Sequence, residues 1–236
     1  MKKTIVLNHK SNLTFPEVQN YLLDINDIIR TDINCIICPS NVYIPYFKGK
    51  YNFSLGVQNL NNSSLNGEVT GKVLKSLGVK YALLGHHDRT NYLHETKEEI
   101  NKKIKDALDN CITPIVILGE TYYQKELKKT GEIIGKQIKD YFKDIEVGKD
   151  IILVYEPNWT FKDKQIPSKE YVTEVVDLIK NIIKRKYHEN LKVLYGGNIT
   201  PNIIPIINKI PNIDGLLIGK SSTSLKTLKQ IFETLE

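Results

Sequence analysis

The middle of the chain reads TPIVIL at residues 113–118, then an amphipathic stretch over Gly131–Phe142, and then IILVY at residues 151–155. The two apolar runs are short and rich in β-branched residues, as buried strands usually are. The stretch between them is long enough for a helical crossover, which is the connection that joins parallel strands. This part of the sequence therefore predicts a βαβ unit of a parallel sheet.

The same alternation continues along the chain and predicts eight strands and eight helices. The predicted strands are Thr4–Leu7, Asn34–Cys38, Phe53–Val57, Lys80–Leu84, Thr113–Leu118, Ile151–Tyr155, Lys192–Tyr195 and Gly215–Ile218. The predicted helices are Pro16–Ile29, Val42–Phe47, Glu68–Leu77, Thr96–Leu108, Gly131–Phe142, Lys169–Tyr187, Pro201–Ile207 and Leu225–Leu235.

Eight repeats favour a closed (β/α)8 barrel of the α/β class, a fold that commonly takes about 250 residues. An open sheet that binds a dinucleotide usually has a G-x-G-x-x-G turn after an early strand, and this sequence has no such turn. No linker rich in proline, glycine and serine divides the 236 residues. We therefore expect one domain over residues 1–236.

Composition argues against several classes of partner. The net charge is +6, but lysines alternate with glutamates, as in KEEINKK at residues 97–103, which is typical of a solvated helix face rather than a nucleic-acid site. The apolar runs are far shorter than the roughly 20 residues of a membrane-spanning helix. The first of them stops at residue 8, too early for a secretory signal. We expect a cytoplasmic protein that binds neither nucleic acid nor membrane.

Two of the three cysteines, Cys35 and Cys38, have the C-x-x-C spacing. They lie in a predicted strand, where residues three apart point to opposite faces, and no second pair of zinc ligands accompanies them. We therefore expect buried thiols in a reducing compartment, and neither a redox pair nor a zinc site.

Five of the predicted strands are followed closely by a residue suited to a binding or catalytic loop. Lys10 follows the first strand, His86 the fourth and Glu156 the sixth, while glycines follow the seventh at residues 196–197 and the eighth at Gly219. The C-terminal ends of the strands carry the active site in a (β/α)8 barrel. These five loops would therefore meet at one mouth if the sheet closes.

The motifs around these residues are NHK at 8–10, QN at 58–59, GE at 67–68, LGHHDR at 84–89, GE at 119–120, YEPNW at 155–159, YGGN at 195–198 and IGKS at 218–221. In order and nearly end to end, they resemble the motifs of the triosephosphate isomerase family. The resemblance implies a barrel that interconverts dihydroxyacetone phosphate and glyceraldehyde 3-phosphate, a step of glycolysis and gluconeogenesis. It also implies that the reaction needs neither a metal nor an organic cofactor.

The resemblance further implies the roles of four residues. Glu156 would be the general base that removes a carbon-bound proton, and His86 would be the neutral electrophile that polarises the carbonyl. Lys10 would stabilise the enediolate oxyanion and the phosphate, with Asn8 forming hydrogen bonds nearby.

Other positions would bind the phosphate or support the reacting groups. The resemblance implies that main-chain N–H groups of three loops bind the phosphate, at Lys162, Asn198, Gly219 and Lys220. Among the supporting residues, Asp88 and Arg89 would orient the catalytic side chains. Glu120 and Trp159 would brace the closed lid, and Tyr195 would bind the lid when it is closed.

The adjacent His86, His87 and Asp88 raise the alternative of a metal site. We expect none, because neighbouring side chains project in different directions and no pattern of a further ligand accompanies them.

The chain departs from the family in three loops. FKDKQ at residues 161–165 replaces a lid tip that contains glycine, and Pro167 lacks the N–H group that Tyr195 would bind when the lid is closed. Lys220 takes the place of a second glycine. The third loop, residues 60–66, is shorter than is typical. Because this loop reaches into the partner subunit in the family, we expect a homodimer with an altered interface.

These departures leave two alternatives open. The chain could isomerise another small phosphorylated sugar, such as a tetrose or tetrulose phosphate, in a reshaped pocket. It could also be a binding or moonlighting protein that has lost efficient catalysis.

Overall fold

The computed structural model describes residues 2–49, 51–148, 150–162 and 166–235, with the backbone alone for Lys162. Eight parallel strands form a closed barrel in which each strand pairs with the next and the eighth pairs with the first. The strands are β1 (Thr4–Asn8), β2 (Asn34–Cys38), β3 (Ser54–Val57), β4 (Tyr81–Leu84), β5 (Thr113–Leu118), β6 (Ile152–Tyr155), β7 (Lys192–Gly196) and β8 (Gly215–Ile218). Each end lies within one residue of the prediction, so the predicted barrel is confirmed.

Helices follow the strands on the outside of the barrel. In the described part of the chain the α-helices are α1 (Phe15–Ile28), α2 (Gly71–Ser76), α3 (His87–Tyr92), α4 (Lys97–Asp109), α5 (Tyr122–Glu126), α6 (Thr130–Tyr141), α7 (Trp159–Lys162), α8 (Lys169–Tyr187), α9 (Ile204–Ile207) and α10 (Leu225–Thr234). Three 3-10 helices span Asn41–Phe47, Pro201–Ile203 and Lys220–Thr223.

Four short helical segments were not predicted from the sequence. They are α3, α5, α7 and the 3-10 helix at Lys220–Thr223, each only four to six residues long, which is too short to show a helical period. The predicted helix Glu68–Leu77 begins later than expected, at Gly71, because Thr70 is still extended and serves as its N-cap. The predicted helix Val42–Phe47 is a 3-10 helix with Pro45 inside it.

Alternate strand residues face the barrel interior, and the others pack against the helices. Val6 and Val154 belong to the interior cluster of apolar side chains, and burying each such side chain stabilises the fold by about 1.5–3 kcal/mol. Asn8 and Glu156 are two residues further along and continue these inward positions toward the C-terminal mouth. The packing of the strands therefore aims both polar side chains into the mouth.

The two cysteines of the C-x-x-C motif point to opposite faces, as predicted. Cys38 lies in the interior cluster, whereas Cys35 packs in the cluster between sheet and helices. A search of the described helices for one long and apolar enough to cross a bilayer finds none.

Candidate active site

A cavity of about 270 Å³ lies at the C-terminal mouth of the barrel. Its walls come from the loops after β1, β4, β6, β7 and β8, the same loops whose residues the sequence singled out. The lining includes Asn8, Lys10, His86, Glu156, Asn198, Gly219 and Lys220.

Glu156 follows β6 and is almost fully buried, with 4% of its side chain exposed. Its Oε2 atom lies 3.6 Å from His86 Nε2 and 2.8 Å from His87 Nδ1. Burial raises the pKa of this carboxyl group, but the two imidazoles and the Lys10 ammonium outweigh burial, and the net shift is downward. The resting protein therefore has an ionised carboxylate inside the cavity.

His86 is the N-cap residue of α3, and its Nδ1 atom accepts a hydrogen bond from the Asp88 main-chain N–H group at 3.0 Å. Burial lowers the pKa of His86 below its usual value, so the ring is neutral at pH 7. Because Nδ1 is the acceptor, the proton of the neutral ring belongs on Nε2. That N–H group faces the cavity and can donate to the oxygen of a ligand.

Lys10 adopts a left-handed backbone conformation, with φ of 51°, which an L-residue seldom takes unless its surroundings hold it there. Ser40 Oγ and Gln58 Nε2 both donate to the Lys10 carbonyl, at 2.7 and 2.8 Å. Asn8 Oδ1 accepts from the Lys10 main-chain N–H group at 3.2 Å. The side chain ends 2.7 Å from Asp88 Oδ2, so the ammonium group is fixed beside the cavity.

Arg89, in α3, belongs to a separate network around the buried carboxylate of Glu95. Its Nε atom donates to Glu95 Oε1 at 2.9 Å, and Lys103 also pairs with Glu95. Lys103 reaches Asn59 Oδ1 at 3.0 Å as well. The network connects α3 with α4 and the loop after β3.

The loops after β7 and β8 form the opposite wall of the cavity. Ser221 Oγ donates to the Ile199 carbonyl at 2.6 Å and so ties the two loops together. Asn198 has a left-handed backbone, with φ of 45°, and its side chain is exposed. Lys220 is also exposed and begins the 3-10 helix after β8.

Glu120 is a fully buried acceptor below α7. Its Oε1 atom accepts hydrogen bonds from Trp159 Nε1 at 2.9 Å, from Tyr171 Oη at 2.9 Å and from Tyr155 Oη at 3.1 Å. Tyr195 is buried beside Tyr155, with the two ring centroids 6.3 Å apart. These contacts anchor the first residue of α7 to the barrel.

The sequence model of the triosephosphate isomerase family matches residues 3–235. The chain belongs to the triosephosphate isomerase family. Relatives named triosephosphate isomerase include those of Alkaliphilus metalliredigens, which is 34% identical over 94% of this chain and 95% of its own length, and of Mycoplasma mobile, which is 32% identical over 95% and 96%. The triosephosphate isomerase of Clostridium botulinum strain Loch Maree is 30% identical over 95% and 96%.

The predicted triosephosphate isomerase residues fall into two groups in space. Seven line the cavity, namely Asn8, Lys10, His86, Glu156, Asn198, Gly219 and Lys220. Asp88 contacts Lys10, whereas Arg89, Glu120, Trp159 and Tyr195 lie behind the lining residues. Of the predicted lid tip, residues 163–165 and the Lys162 side chain lie outside the described part of the chain.

The prediction that the side chains of His86 and His87 project in different directions was wrong. Their rings stack, with centroids 4.2 Å apart and an interplanar angle of 29°, and potential ligand atoms of both histidines and Asp88 lie within 4.8 Å of one another. However, stacked imidazoles direct their lone pairs along parallel planes, so one ion cannot lie in both planes at bonding distance. The Asp88 carboxylate also forms an ion pair with Lys10. The geometry therefore does not favour a metal.

Two residues of the site were missed from the sequence as contributors to its chemistry. His87 bonds to Glu156, and Phe161 of α7 stacks on His87 with ring centroids 4.5 Å apart. The doubled histidine in LGHHDR was the available signal, and in the sequence it indicated only a possible metal site. Phe161 carried no signal beyond its place in the predicted lid.

Proposed function

We propose that the chain interconverts dihydroxyacetone phosphate and glyceraldehyde 3-phosphate, as an aldose–ketose isomerase that uses neither a metal nor an organic cofactor. The observation that supports this most is the convergence of an ionised Glu156, a neutral His86 and the Lys10 ammonium at one cavity. Those are a base, a hydrogen-bond donor and a fixed positive charge. Together they suit proton transfer between adjacent carbons.

In the proposed reaction, Glu156 removes a proton from the carbon next to the carbonyl, and the electron pair of that bond forms the enediolate. Lys10 and the His86 Nε2–H group stabilise the negative charge that develops on oxygen. His86 moves a proton between the two oxygens, and the protonated Glu156 returns its proton to the neighbouring carbon. The Asn8 side-chain oxygen holds Lys10 in place by accepting a hydrogen bond from the main-chain N–H group of Lys10.

We also propose that the phosphate binds on the opposite wall, at Lys162, Asn198, Gly219 and Lys220. The exposed Lys220 ammonium and the turn at Asn198 support this assignment, because both residues line the cavity. A main-chain N–H group suits a phosphate oxygen, and a lysine adds a point charge.

A homodimer is proposed from the surface around the loop after β3. A cleft of about 400 Å³ beside Lys10 is lined by Gln58, Glu68 and Arg89, and it shares Glu68 and Arg89 with a second cleft of about 450 Å³. Two exposed apolar side chains, Leu65 and Leu93, line the second cleft, and further exposed apolar side chains occur at Val42, Tyr46 and Tyr92. A second copy would cover this apolar surface and shield Lys10 from water. A monomer in sedimentation at micromolar concentration would contradict the dimer.

We propose further that residues 1–236 form one domain, that the protein acts in the cytoplasm, and that it serves glycolysis and gluconeogenesis. The match over residues 3–235 supports the single domain. The free thiols of Cys35, Cys38 and Cys111 support a reducing compartment. Among the described residues nothing specific favours a tetrose phosphate substrate or a binding protein without catalysis.

A coupled assay of triose phosphate turnover tests the proposed reaction. Glu156→Gln keeps the size of the side chain but removes the base, and kcat should fall by about 10²–10⁴-fold. Wild-type turnover equal to that of Glu156→Gln would rule the reaction out. Rate constants for a tetrose phosphate, measured in parallel, separate the two isomerase hypotheses.

A further inference from the structure

His87 lies between two carboxylates. Its Nδ1 atom is 2.8 Å from Glu156 Oε2, its Nε2 atom is 3.1 Å from Asp88 Oδ1, and only 9% of its side chain is exposed. An ionised carboxylate can only accept hydrogen bonds, and a neutral imidazole has one N–H group. Both contacts are attractive only when each ring nitrogen carries a proton. The geometry therefore points to an imidazolium at His87.

The charged groups around His87 agree with this protonation state. Glu156 faces it from the end of β6 and Asp88 from α3, while the Lys10 ammonium lies on the far side of Asp88. Burial alone would lower the pKa of His87, but the hydrogen bonds to Asp88 and Glu156 outweigh burial and raise it to about 9. The ring of His86, which stacks on one face of the His87 ring, has a lowered pKa and is neutral.

His87 also connects Glu156 with α7. Its ring is the middle one of three, stacked on His86 at 4.2 Å and on Phe161 at 4.5 Å between centroids. A separate cavity of about 150 Å³ lies behind it, lined among others by Tyr141 and Asn158. Tyr141, whose pKa burial raises to about 12, is neutral there. His87 itself lines this second cavity, on the side away from the substrate cavity.

We propose that His87 is a positioning residue. Its imidazolium, which is stacked against Phe161, holds the Glu156 carboxylate in a resting position until substrate binds. This proposal rests on the proposed role of Glu156 as the base. A carboxylate that accepts a hydrogen bond from a cation is a weaker base, and its Oε2 atom must give up that bond to reach a carbon-bound proton. Loss of the His87 proton weakens the hold, so kcat/KM should rise as the pH passes about 9.

Imidazole ¹⁵N resonances test the resting contact without any need for turnover. The chain has five histidines, and one of them should stay doubly protonated through neutral pH and titrate near pH 9. This signal should be missing in His87→Phe, or in His87→Gln if the first variant does not fold. In Glu156→Gln the same signal should titrate at lower pH. A neutral His87 ring between pH 6 and 8 would overturn the proposal, whatever the activity of the enzyme.

The pH profile of kcat/KM tests the functional consequence. The wild type should gain up to about tenfold across pH 9, the effect of weakening one charge-assisted hydrogen bond. His87→Phe keeps a ring for stacking but has no N–H group, so its profile should be flat in this range. The matched variant Phe161→Leu removes the stack and keeps the hydrogen bonds, so the rise should remain. A rise that persists in His87→Phe, or is absent from the wild type, would contradict the proposal.

Discussion

The two walls of the cavity differ in how firmly their side chains are held. On the proton-transfer side, defined here as Asn8, Lys10, His86 and Glu156, each side chain has a partner within the protein, and all but Lys10 are buried. On the phosphate side, defined as Asn198, Gly219 and Lys220, the two long side chains are exposed and bond to no side chain that the structure describes. The protein therefore holds the side chains of the proton-transfer side in place before a ligand binds, with Glu156 bonded to His87, whereas the side chains of Asn198 and Lys220 remain open to solvent.

The largest expected effect is on the proton-transfer side. Lys10→Gln removes the fixed positive charge and leaves Asp88 without its cationic partner, so kcat/KM should fall by about 10²–10³-fold. Steady-state kinetics with both triose phosphates measure the loss. A fall in kcat/KM of less than about threefold would show that Lys10 does not belong to the proposed oxyanion site. The two walls would then not differ in their contribution to the reaction.

A second prediction concerns His9, which lies directly below this side, packed on Tyr21 with ring centroids 4.7 Å apart. Burial lowers the pKa of His9 to about 4, and neither ring nitrogen has a described partner. The unfolded chain binds a proton below pH 6.5, whereas the folded protein does so only near pH 4. The free energy of unfolding should therefore drop by about 3 kcal/mol between these pH values.

Denaturant unfolding from pH 7 to pH 4 checks the contribution of His9. His9→Phe keeps an aromatic ring in the cluster and should flatten the dependence, while His94→Asn, at an exposed position, should leave it unchanged. Equal slopes in all three proteins would show that His9 does not contribute.

The third prediction concerns Gly197 in the loop after β7, on the same wall of the cavity as Asn198. Gly197 has φ of 152°, and a Cβ atom there would lie 2.8 Å from Tyr195 Oη and 3.2 Å from Thr160 Oγ1. Gly197→Ala should therefore lower the free energy of unfolding by about 1–3 kcal/mol. The control Gly131→Ala, in the first turn of α6, meets only Leu178 at 3.4 Å and should be neutral or stabilising. Equal stability of the two variants would contradict the expected strain.

The smallest expected effect is on the phosphate side. Lys220→Ala removes an exposed charge, so KM should rise by several-fold, to about tenfold at most, with little change in kcat. Steady-state kinetics at two salt concentrations check this, because the difference between wild type and variant should shrink as salt screens the charge. A loss confined to kcat would place Lys220 in the chemical step and remove the distinction between the walls.

The sequence predicted the barrel well, because each strand is a short apolar run with clear ends. It also indicated which residues would meet, since the ends of parallel strands converge on one mouth. The conformation of Lys10 could not be predicted. It depends on hydrogen bonds from Ser40 and Gln58, which are 30 and 48 positions away.

The contacts of His87 with Glu156 and Phe161 could not be predicted either. His86 is extended and His87 begins α3, and that change of backbone conformation brings two neighbouring rings face to face. An alternation of apolar and polar residues does not report such a local turn. For the same reason α7, with only four residues, was not predicted, and the place of Phe161 on His87 became visible only in three dimensions.

A structure with bound 2-phosphoglycolate, a phosphorylated carboxylate that resembles the enediolate, tests the division of the cavity most directly. The account predicts the carboxylate within hydrogen-bond distance of His86 Nε2 and Lys10 Nζ, and the phosphate against Asn198, Gly219 and Lys220. A ligand bound in the reverse orientation, or outside this cavity, would contradict it.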